Sequence, residues 1–175
     1  MKVIINAQAF HAAQQCAADK DVRFYLNGVY LAPNGDCVGT NGHVAAITPK
    51  AGYFADIPHR LIKIKDAIPA KAMHIELDTD TRVASFIAQN FSEIKRVGYE
   101  IETEEFRYPD YTRLTPKKKG SIEVVALAGE YLTLAAKVFR GSKGIRFEFD
   151  AQPGGVAVLT TPLNETVMLV MPIRL

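Results

Sequence analysis

His43 is the first side chain to consider as a catalytic residue, because an imidazole acts as a general base near neutral pH. A hydrolase would also need a Ser or Cys nucleophile in a recognisable motif, or paired carboxylates, and the sequence shows neither around His43. We interpret the acidic residues Asp80, Glu104 and Glu105 as solvated turn residues. One hypothesis is a hydrolase that uses His43, but no catalytic constellation supports it. We therefore expect a protein that is not an enzyme and has no catalytic residue.

The cysteines and glycines predict that the chain uses no cofactor and no metal. Cys16 and Cys37 stand apart without a CxxC spacing, which argues against a zinc knuckle, a redox pair and a disulfide framework. We interpret both as small buried hydrophobic residues. Glycine-rich phosphate loops of the Walker or dinucleotide type are absent from the sequence, so an ATP-driven step would have to come from a partner.

The composition is that of an ordinary globular protein, with 48% hydrophobic residues in a chain of 175. No segment resembles a secretion signal or a membrane span, so we expect a cytoplasmic protein. The net charge of +2, from 21 basic and 19 acidic residues, argues against a protein that grips nucleic acid chiefly through many phosphate contacts. The clearest basic run is 117–119, which is either a solvated linker or a local DNA contact.

Periodicity and turn signals divide the chain into three βαβββ units, of which the first begins near the N-terminus. Asn6 is placed to cap a predicted helix at 7–19, and the opposite face of that helix carries Gln8, His11 and Gln15, none of them basic at neutral pH. One face of the helix has small residues, which favour close packing against a sheet: Ala9, Ala12, Ala13, Cys16 and Ala17. The predicted strands of this unit are 2–5, 22–31, 36–40 and 44–48.

The second unit is predicted to begin with a strand at 53–57. A helix is predicted from Pro58, because Leu61, Ile64 and Ile68 would then share one face. Residues 62–64 are also compatible with a strand. The strands predicted to follow are 73–77, 83–88 and 96–102.

A segment rich in Pro and Lys, 107–120, separates the third unit from the first two. The elements predicted for this unit are a strand at 121–126, a helix at 128–139 and strands at 145–149, 155–160 and 166–171. Together the three units predict an α+β fold with helices on one side and antiparallel sheets on the other. The predicted domains are a complete one at 1–116 and a half domain at 117–175.

Four short segments carry a resemblance to a known family. They are Asp21-Val22-Arg23-Phe24-Tyr25-Leu26-Asn27-Gly28, Thr40-Asn41-Gly42-His43, Tyr108-Pro109-Asp110-Tyr111-Thr112-Arg113 and Val170-Met171-Pro172-Ile173-Arg174-Leu175. Their order, the intervals between the first three and the place of the last at the chain end resemble those of the beta subunit of bacterial DNA polymerase III, the beta sliding clamp. The resemblance implies the DNA clamp (processivity) fold.

In that family, six similar domains of two βαβββ units each form a ring, with helices lining the central hole. The resemblance covers the family's middle domain to about residue 116 and then the second half of its third domain. It therefore implies a shortened member without the first domain and without half of the third. Two positions depart from the family pattern, because Asn41 stands where an Asp is usual and Val44 where an Arg is common. We expect peptide contacts near these positions to differ.

The resemblance also implies two binding sites. One is a hydrophobic pocket for short linear peptides of DNA polymerases and clamp-loader proteins, where soft apolar side chains adapt to varied ligands. The pocket residues would be Leu26, Thr40, Gly42, His43, Val44, Pro109, Arg113, Leu114, Tyr131, Val170, Met171, Pro172, Ile173 and Arg174. The residues that would contact DNA are Lys20, Arg23, Phe24, Tyr25, Arg60 and Lys63.

A plainer interpretation stands beside each site. Leu26, Leu114 and Val170 could be ordinary core residues, and the apolar C-terminal segment could seal the core instead of forming a pocket wall. Phe24 could likewise be a core residue, with the neighbouring cations solvated.

Two functions are therefore open at this point. The first is a processivity factor that oligomerises around duplex DNA and tethers partners, and the second is a clamp mimic that binds partner peptides without encircling DNA. A half domain would expose sheet edges and a helix face, so we predict that unit three pairs with unit three of another copy. Two such dimers would supply six domains, which predicts a tetrameric ring with two-fold symmetries, or a dimer.

Overall fold

The computed structural model describes residues 1–54, 56–57, 60–114, 125–149 and 155–173, which form twelve β-strands and two α-helices. The strands are β1 (Lys2–Asn6), β2 (Val29–Leu31), β3 (Cys37–Thr40), β4 (Val44–Thr48), β5 (Leu61–Lys63), β6 (Ala72–Asp78), β7 (Val83–Ala88), β8 (Glu93–Gly98), β9 (Glu100–Ile101), β10 (Arg146–Phe149), β11 (Ala157–Thr161) and β12 (Asn164–Val170). The helices are α1 (Ala7–Cys16) and α2 (Gly129–Val138), and short 3-10 turns occupy Phe24–Leu26 and Tyr111–Leu114. Neither helix is long and apolar enough to cross a membrane.

The strands form two sheets, and every described strand pair is antiparallel. One sheet has the order β1-β6-β7-β8, and the other has the order β10-β11-β12-β4-β3-β2-β5-β9. The first strand of unit one, β1, pairs with β6 of unit two, while β5 of unit two pairs with β2 of unit one. This exchange joins units one and two through both sheets. The predicted α+β class with antiparallel sheets is confirmed.

Helix α1 follows the local signals in the sequence. The side chain of Asn6 accepts a hydrogen bond from the backbone N–H of Ala9 at 3.0 Å, as predicted for an N-cap. The small-residue face packs so closely on β3 that a Cβ atom at Gly39 would lie 1.9 Å from the carbonyl oxygen of Ala13. The helix ends at Cys16 rather than at the predicted residue 19, because the backbone of Ala17 is extended and Ala18 donates to the carbonyl of Leu26.

The helix predicted for unit two is wrong over its described part, because Leu61–Lys63 form strand β5 and the chain from 64 to 71 is irregular. Pro58 and His59 lie outside the described residues. Ile64 and Ile68 are still buried, but in a non-helical segment. Pro69 disfavours a helical backbone at Ile68.

The carbonyl groups of this irregular segment bond to side chains of other elements. Gln14 of α1 donates its side-chain amide to the carbonyl oxygens of Ile64 at 2.6 Å and Asp66 at 3.2 Å. Arg140, just after α2, donates to the carbonyl of Ile68 at 2.8 Å. These distant donors satisfy backbone acceptors that a helix would have satisfied internally.

Other predicted strands differ in extent. Residues 22–31 contain a 3-10 turn and only the short β2, and 96–102 fall into parts of β8 and β9. The predicted strand at 53–57 is not a strand in its described part, and β5 takes its role as the first strand of unit two. The predicted strand at 121–126 lies largely outside the described residues, and 125–126 are not in a strand.

Both helices lie on the same face of the eight-stranded sheet, as expected for a clamp domain. A first core joins α1 to both sheets, with Phe10, Phe54 and Phe86 at its centre. The second core lies between α1, α2 and strands β4, β11 and β12; it contains Cys16 and Phe139. The prediction of buried cysteines is confirmed, since Cys16 and Cys37 are both inaccessible to solvent.

Candidate peptide-binding corner

The turn between β3 and β4 is held by its own side chains. Thr40 donates its hydroxyl to the carbonyl of Val44 at 2.7 Å and accepts from the backbone N–H of Gly42 at 3.0 Å. The side-chain oxygen of Asn41 accepts from the N–H groups of His43 at 2.9 Å and Val44 at 3.0 Å. A carboxylate oxygen could accept both bonds as well, so the departure from Asp to Asn at this position keeps the acceptor on which the turn depends.

Arg23 braces this turn from the side. Its guanidinium binds both carboxylate oxygens of Asp21, at 3.0 and 2.8 Å, and also donates to the carbonyl of Asn41 at 3.2 Å. Hydrogen bonds from Arg23 lower the pKa of Asp21 to about 2, so this pair is charged at neutral pH. Gly42 has φ +91°, and a Cβ atom there would lie 2.9 Å from the guanidinium. The positive φ therefore favours glycine at this position, and a larger residue would also have to displace the end of the Arg23 side chain.

The C-terminal segment runs beside this turn. Val170 at the end of β12 pairs with Val44 at the start of β4, and the next residue, Met171, donates its N–H to the carbonyl of His43 at 2.9 Å. Ile173 donates its N–H to the carbonyl of Ala126 at 2.8 Å. Backbone hydrogen bonds thus fix the segment on both sides. Arg174 lies outside the described residues.

The turn 40–44 and the segment 170–173 together form what we call the corner. Val44 and Val170 are buried beneath it in the second core, against which Tyr131 packs half-buried. Met171 and Ile173 are 43% and 51% exposed. A rigid backbone therefore presents two bulky apolar side chains to solvent beside the polar groups of the turn.

In the described part of the chain, no hydrogen bond or ion pair joins the corner directly to four of the predicted pocket residues. Pro109, Arg113 and Leu114 belong to a segment anchored at the β2–β3 hairpin, where Tyr111 donates its hydroxyl to Asp36 at 3.0 Å. Arg113 pairs with Asp110 at 2.7 Å, and Leu114 is 41% exposed. The fourth, Leu26, is only 1% exposed, so a ligand would not reach it without movement of the Phe24–Leu26 turn.

The cations predicted to contact DNA are largely engaged within the chain. Arg23 binds Asp21 as described, and Lys63 pairs with Asp19 at 3.1 Å. Arg60 donates to the carbonyl of Phe54 at 2.6 Å. Lys20 is exposed in a left-handed backbone conformation, φ 60°.

Phe24 and Tyr25 lie edge to face with a centroid separation of 5.7 Å, and both are half-buried. Phe24 and Lys63 also line a surface cavity of about 220 Å³ beside β5 and β9. Phe24 is therefore neither a fully buried core residue nor a fully exposed surface residue.

The polar face of α1 has a role that sequence reasoning missed. Gln8 and His11 donate to the carbonyl oxygens of Val138 and Lys137 at the end of α2, at 3.0 and 2.9 Å. Arg140 in turn donates to the side-chain oxygen of Gln8 at 3.0 Å. Because a carbonyl only accepts, Nε2 of His11 must carry the proton. Burial lowers the pKa of His11, which keeps the ring neutral. The sequence signal that could have indicated this helix contact is that the polar face of α1 carries no charged residue.

Comparisons with known proteins agree with this architecture. No family model and no curated protein matches the chain. Among solved structures, the chain is similar to the DNA polymerase sliding clamp of Bacillus subtilis, with a TM-score of 0.66, 14% identity and coverage of 100% of this chain and 64% of that one. The DNA polymerase III subunit beta of Borrelia burgdorferi, solved with a natural product, gives a TM-score of 0.65 at 15% identity, again covering 100% and 64%.

The chain has the bacterial sliding-clamp fold. The DNA polymerase III beta subunit of Caulobacter crescentus supports the same conclusion, with a TM-score of 0.63, 14% identity and coverage of 99% of this chain and 66% of that one. The chain spans about 64% of the length of the first of these clamps. At such identities the likeness establishes the fold, and the function of this clamp-fold chain has to be argued from its own surfaces.

Proposed function

We propose that this clamp-fold chain is a non-catalytic processivity factor, which oligomerises around duplex DNA and holds polymerase-type partners by a short peptide bound at the corner. Retention on DNA would come from ring closure, so a nearly balanced charge suits the role because strong phosphate contacts would resist sliding. The predicted assembly is a tetrameric ring, with a dimer as the alternative.

The observation that carries the proposal is the exposure of Met171 and Ile173 on a backbone fixed by hydrogen bonds. Both side chains stay exposed although both backbone N–H groups are hydrogen-bonded within the chain. The neighbouring carbonyls and the exposed His43 offer polar groups that would orient a peptide. The clamp fold supports this use of the corner, since the proteins of similar fold are named as DNA polymerase clamps.

Peptide binding at the corner is testable with a matched pair of variants. Burial of two bulky apolar peptide side chains contributes about 3–6 kcal/mol before the costs of association, so we expect affinity in the micromolar range or weaker. Met171→Lys should abolish binding of short peptides with Leu and Phe anchors, measured by fluorescence anisotropy. Leu163→Lys, at a 65% exposed position in the β11–β12 turn, adds the same charge away from the corner and should leave binding intact. Equal affinity of both variants would contradict the assignment.

A clamp mimic is the second candidate function, and the engagement of Arg23 and Lys63 by carboxylates favours it. Cations that are paired within the chain contribute little attraction to a phosphate backbone. A mimic would bind the same peptides and would never become topologically linked to DNA, so the two functions differ in DNA retention and agree in peptide binding.

A further inference from the structure

Three Asn-Gly dipeptides lie close together in the sequence: Asn27-Gly28, Asn34-Gly35 and Asn41-Gly42. In such a dipeptide the backbone nitrogen of glycine can attack the side-chain carbonyl carbon of asparagine, because glycine has no side chain to block the approach and its backbone is conformationally free. The three dipeptides are chemically identical. Differences in their reactivity in the folded chain must therefore come from their surroundings.

The side-chain amides of Asn27 and Asn34 are held by their nitrogen atoms. Nδ2 of Asn27 donates to the carbonyl of Asp21 at 2.8 Å, and Nδ2 of Asn34 donates to the carboxylate of Asp36 at 2.8 Å. This nitrogen is the group that would leave during an attack on the amide, so its departure requires the loss of that hydrogen bond. The loss of one hydrogen bond of ordinary strength slows a reaction about tenfold.

The side-chain amide of Asn41 is held by its oxygen instead. Oδ1 accepts from the backbone N–H groups of His43 at 2.9 Å and Val44 at 3.0 Å. No hydrogen bond engages its Nδ2 in the part of the chain that the structure describes. Two N–H groups that converge on one carbonyl oxygen stabilise the negative charge that develops there during nucleophilic attack, as in an oxyanion hole. The leaving nitrogen is unrestrained and the carbonyl is polarised.

The attacking atom would be the backbone nitrogen of Gly42. Its N–H donates to the hydroxyl oxygen of Thr40 at 3.0 Å, while the hydroxyl proton of Thr40 is donated to the carbonyl of Val44 at 2.7 Å. The oxygen of Thr40 therefore acts as an acceptor toward Gly42, which raises the electron density on that nitrogen. Gly42 is also exposed, so hydroxide from solvent can remove the proton.

We propose that Asn41 is a site of spontaneous deamidation in the folded chain. The nitrogen of Gly42 forms a bond to Cγ of Asn41, the bond from Cγ to Nδ2 breaks, and Nδ2 leaves as ammonia with the proton of Gly42. Water then opens the resulting succinimide ring. Addition of water at Cγ gives aspartate with an ordinary backbone, whereas addition at the main-chain carbonyl carbon of residue 41 gives an isoaspartate linkage.

The two N–H groups that polarise the Cγ carbonyl direct water to Cγ, so aspartate is the favoured product in the folded turn. Its carboxylate keeps an acceptor for those N–H groups and adds one negative charge beside Arg23, whose guanidinium donates to the carbonyl of residue 41 at 3.2 Å. The corner would thus change its charge and keep its turn. The reaction needs neither peptide nor DNA, so this inference goes beyond the proposed function and does not depend on it.

Peptide mapping by mass spectrometry tests the proposal on the wild-type chain. The protein is incubated at mildly alkaline pH, once folded and once unfolded in guanidinium chloride, and conversion at the three dipeptides is followed with time. The unfolded chain should react at similar rates at all three. In the folded chain Asn41 should react at least as fast as when unfolded, and about tenfold faster than Asn27 and Asn34. The ratio of aspartate to isoaspartate at residue 41 should also be higher in the folded chain.

Variants assign the signal and the role of Thr40. Asn41→Asp has no amide to lose and should show no conversion in its peptide. Thr40→Ser keeps the hydroxyl and should keep the rate, whereas folded Thr40→Val should react more slowly; an unchanged rate would overturn the role given to this hydroxyl. If Thr40→Val does not fold, the wild-type comparison decides alone. The proposal is overturned if Asn41 is not the fastest of the three in the folded chain, or if folding slows its conversion.

Discussion

Replacement of Asn41 by Ala tests how far a single side chain holds the corner in shape. The side-chain oxygen of Asn41 accepts from two backbone N–H groups, those of His43 and Val44. A typical intramolecular hydrogen bond contributes about 0.5–1.5 kcal/mol net. In the variant, the backbone N–H of exposed His43 can form a hydrogen bond to water instead, which reduces the loss. The two bonds together predict a loss of about 1–2 kcal/mol in the free energy of unfolding, which corresponds to about 2–8 °C in Tm for a chain of this size.

Asn41→Asp is the matched control, because a carboxylate oxygen accepts the same two bonds. Thermal and urea unfolding should place Asn41→Asp near the wild type and Asn41→Ala clearly below it. Peptide affinity should follow the same order, since the carbonyl of His43 that fixes Met171 lies in this turn. If Asn41→Ala unfolds within about 0.3 kcal/mol of the wild type, the turn is held by other contacts and the reasoning is wrong.

Three further predictions concern packing and titration. Gly39→Ala should destabilise the chain by about 3 kcal/mol in urea unfolding, because its Cβ would meet the Ala13 carbonyl at 1.9 Å, whereas Gly98→Ala, with nothing within 4 Å, should be mild. Burial lowers the pKa of His11, so as pH falls below about 6.5 the imidazole of the unfolded chain is protonated before that of the folded chain. The free energy of unfolding should therefore be highest above that pH and decrease below it. His11→Gln should flatten this part of the pH–stability curve. Burial raises the pKa of Cys16 to about 12 and also raises that of Cys37, so a thiol reagent at pH 8 should modify neither until denaturant is added.

Those parts of the fold that depend on neighbouring residues in the chain could be predicted from the sequence. The N-cap at Asn6 and the small-residue face of α1 depend on neighbours in the chain, and both were predicted. The helix assigned to unit two failed because its apolar spacing, at Leu61, Ile64 and Ile68, fits a helix as well as a buried irregular segment. The donors that decide between them, Gln14 and Arg140, are far away in sequence.

In the candidate site too, local motifs were predicted and contacts between distant residues were not. Short motifs located the turn 40–44 and the segment 170–173, and the structure places them side by side. Leu26 could not be assigned to core or pocket from its residue type, and it is buried. The contact of Gln8 and His11 with α2 depends on how unit three is positioned, which no local pattern specifies.

Topological linkage to DNA is the most direct test of the proposed clamp function. The labelled chain would be assembled on a nicked circular duplex, with a clamp loader if one is required, and separated from free protein at high salt. The circle would then be cut at one site. A closed clamp should remain on the circle and leave after linearisation, whereas a protein that never remains on the circle, or that stays equally on circular and linear DNA, would contradict encirclement.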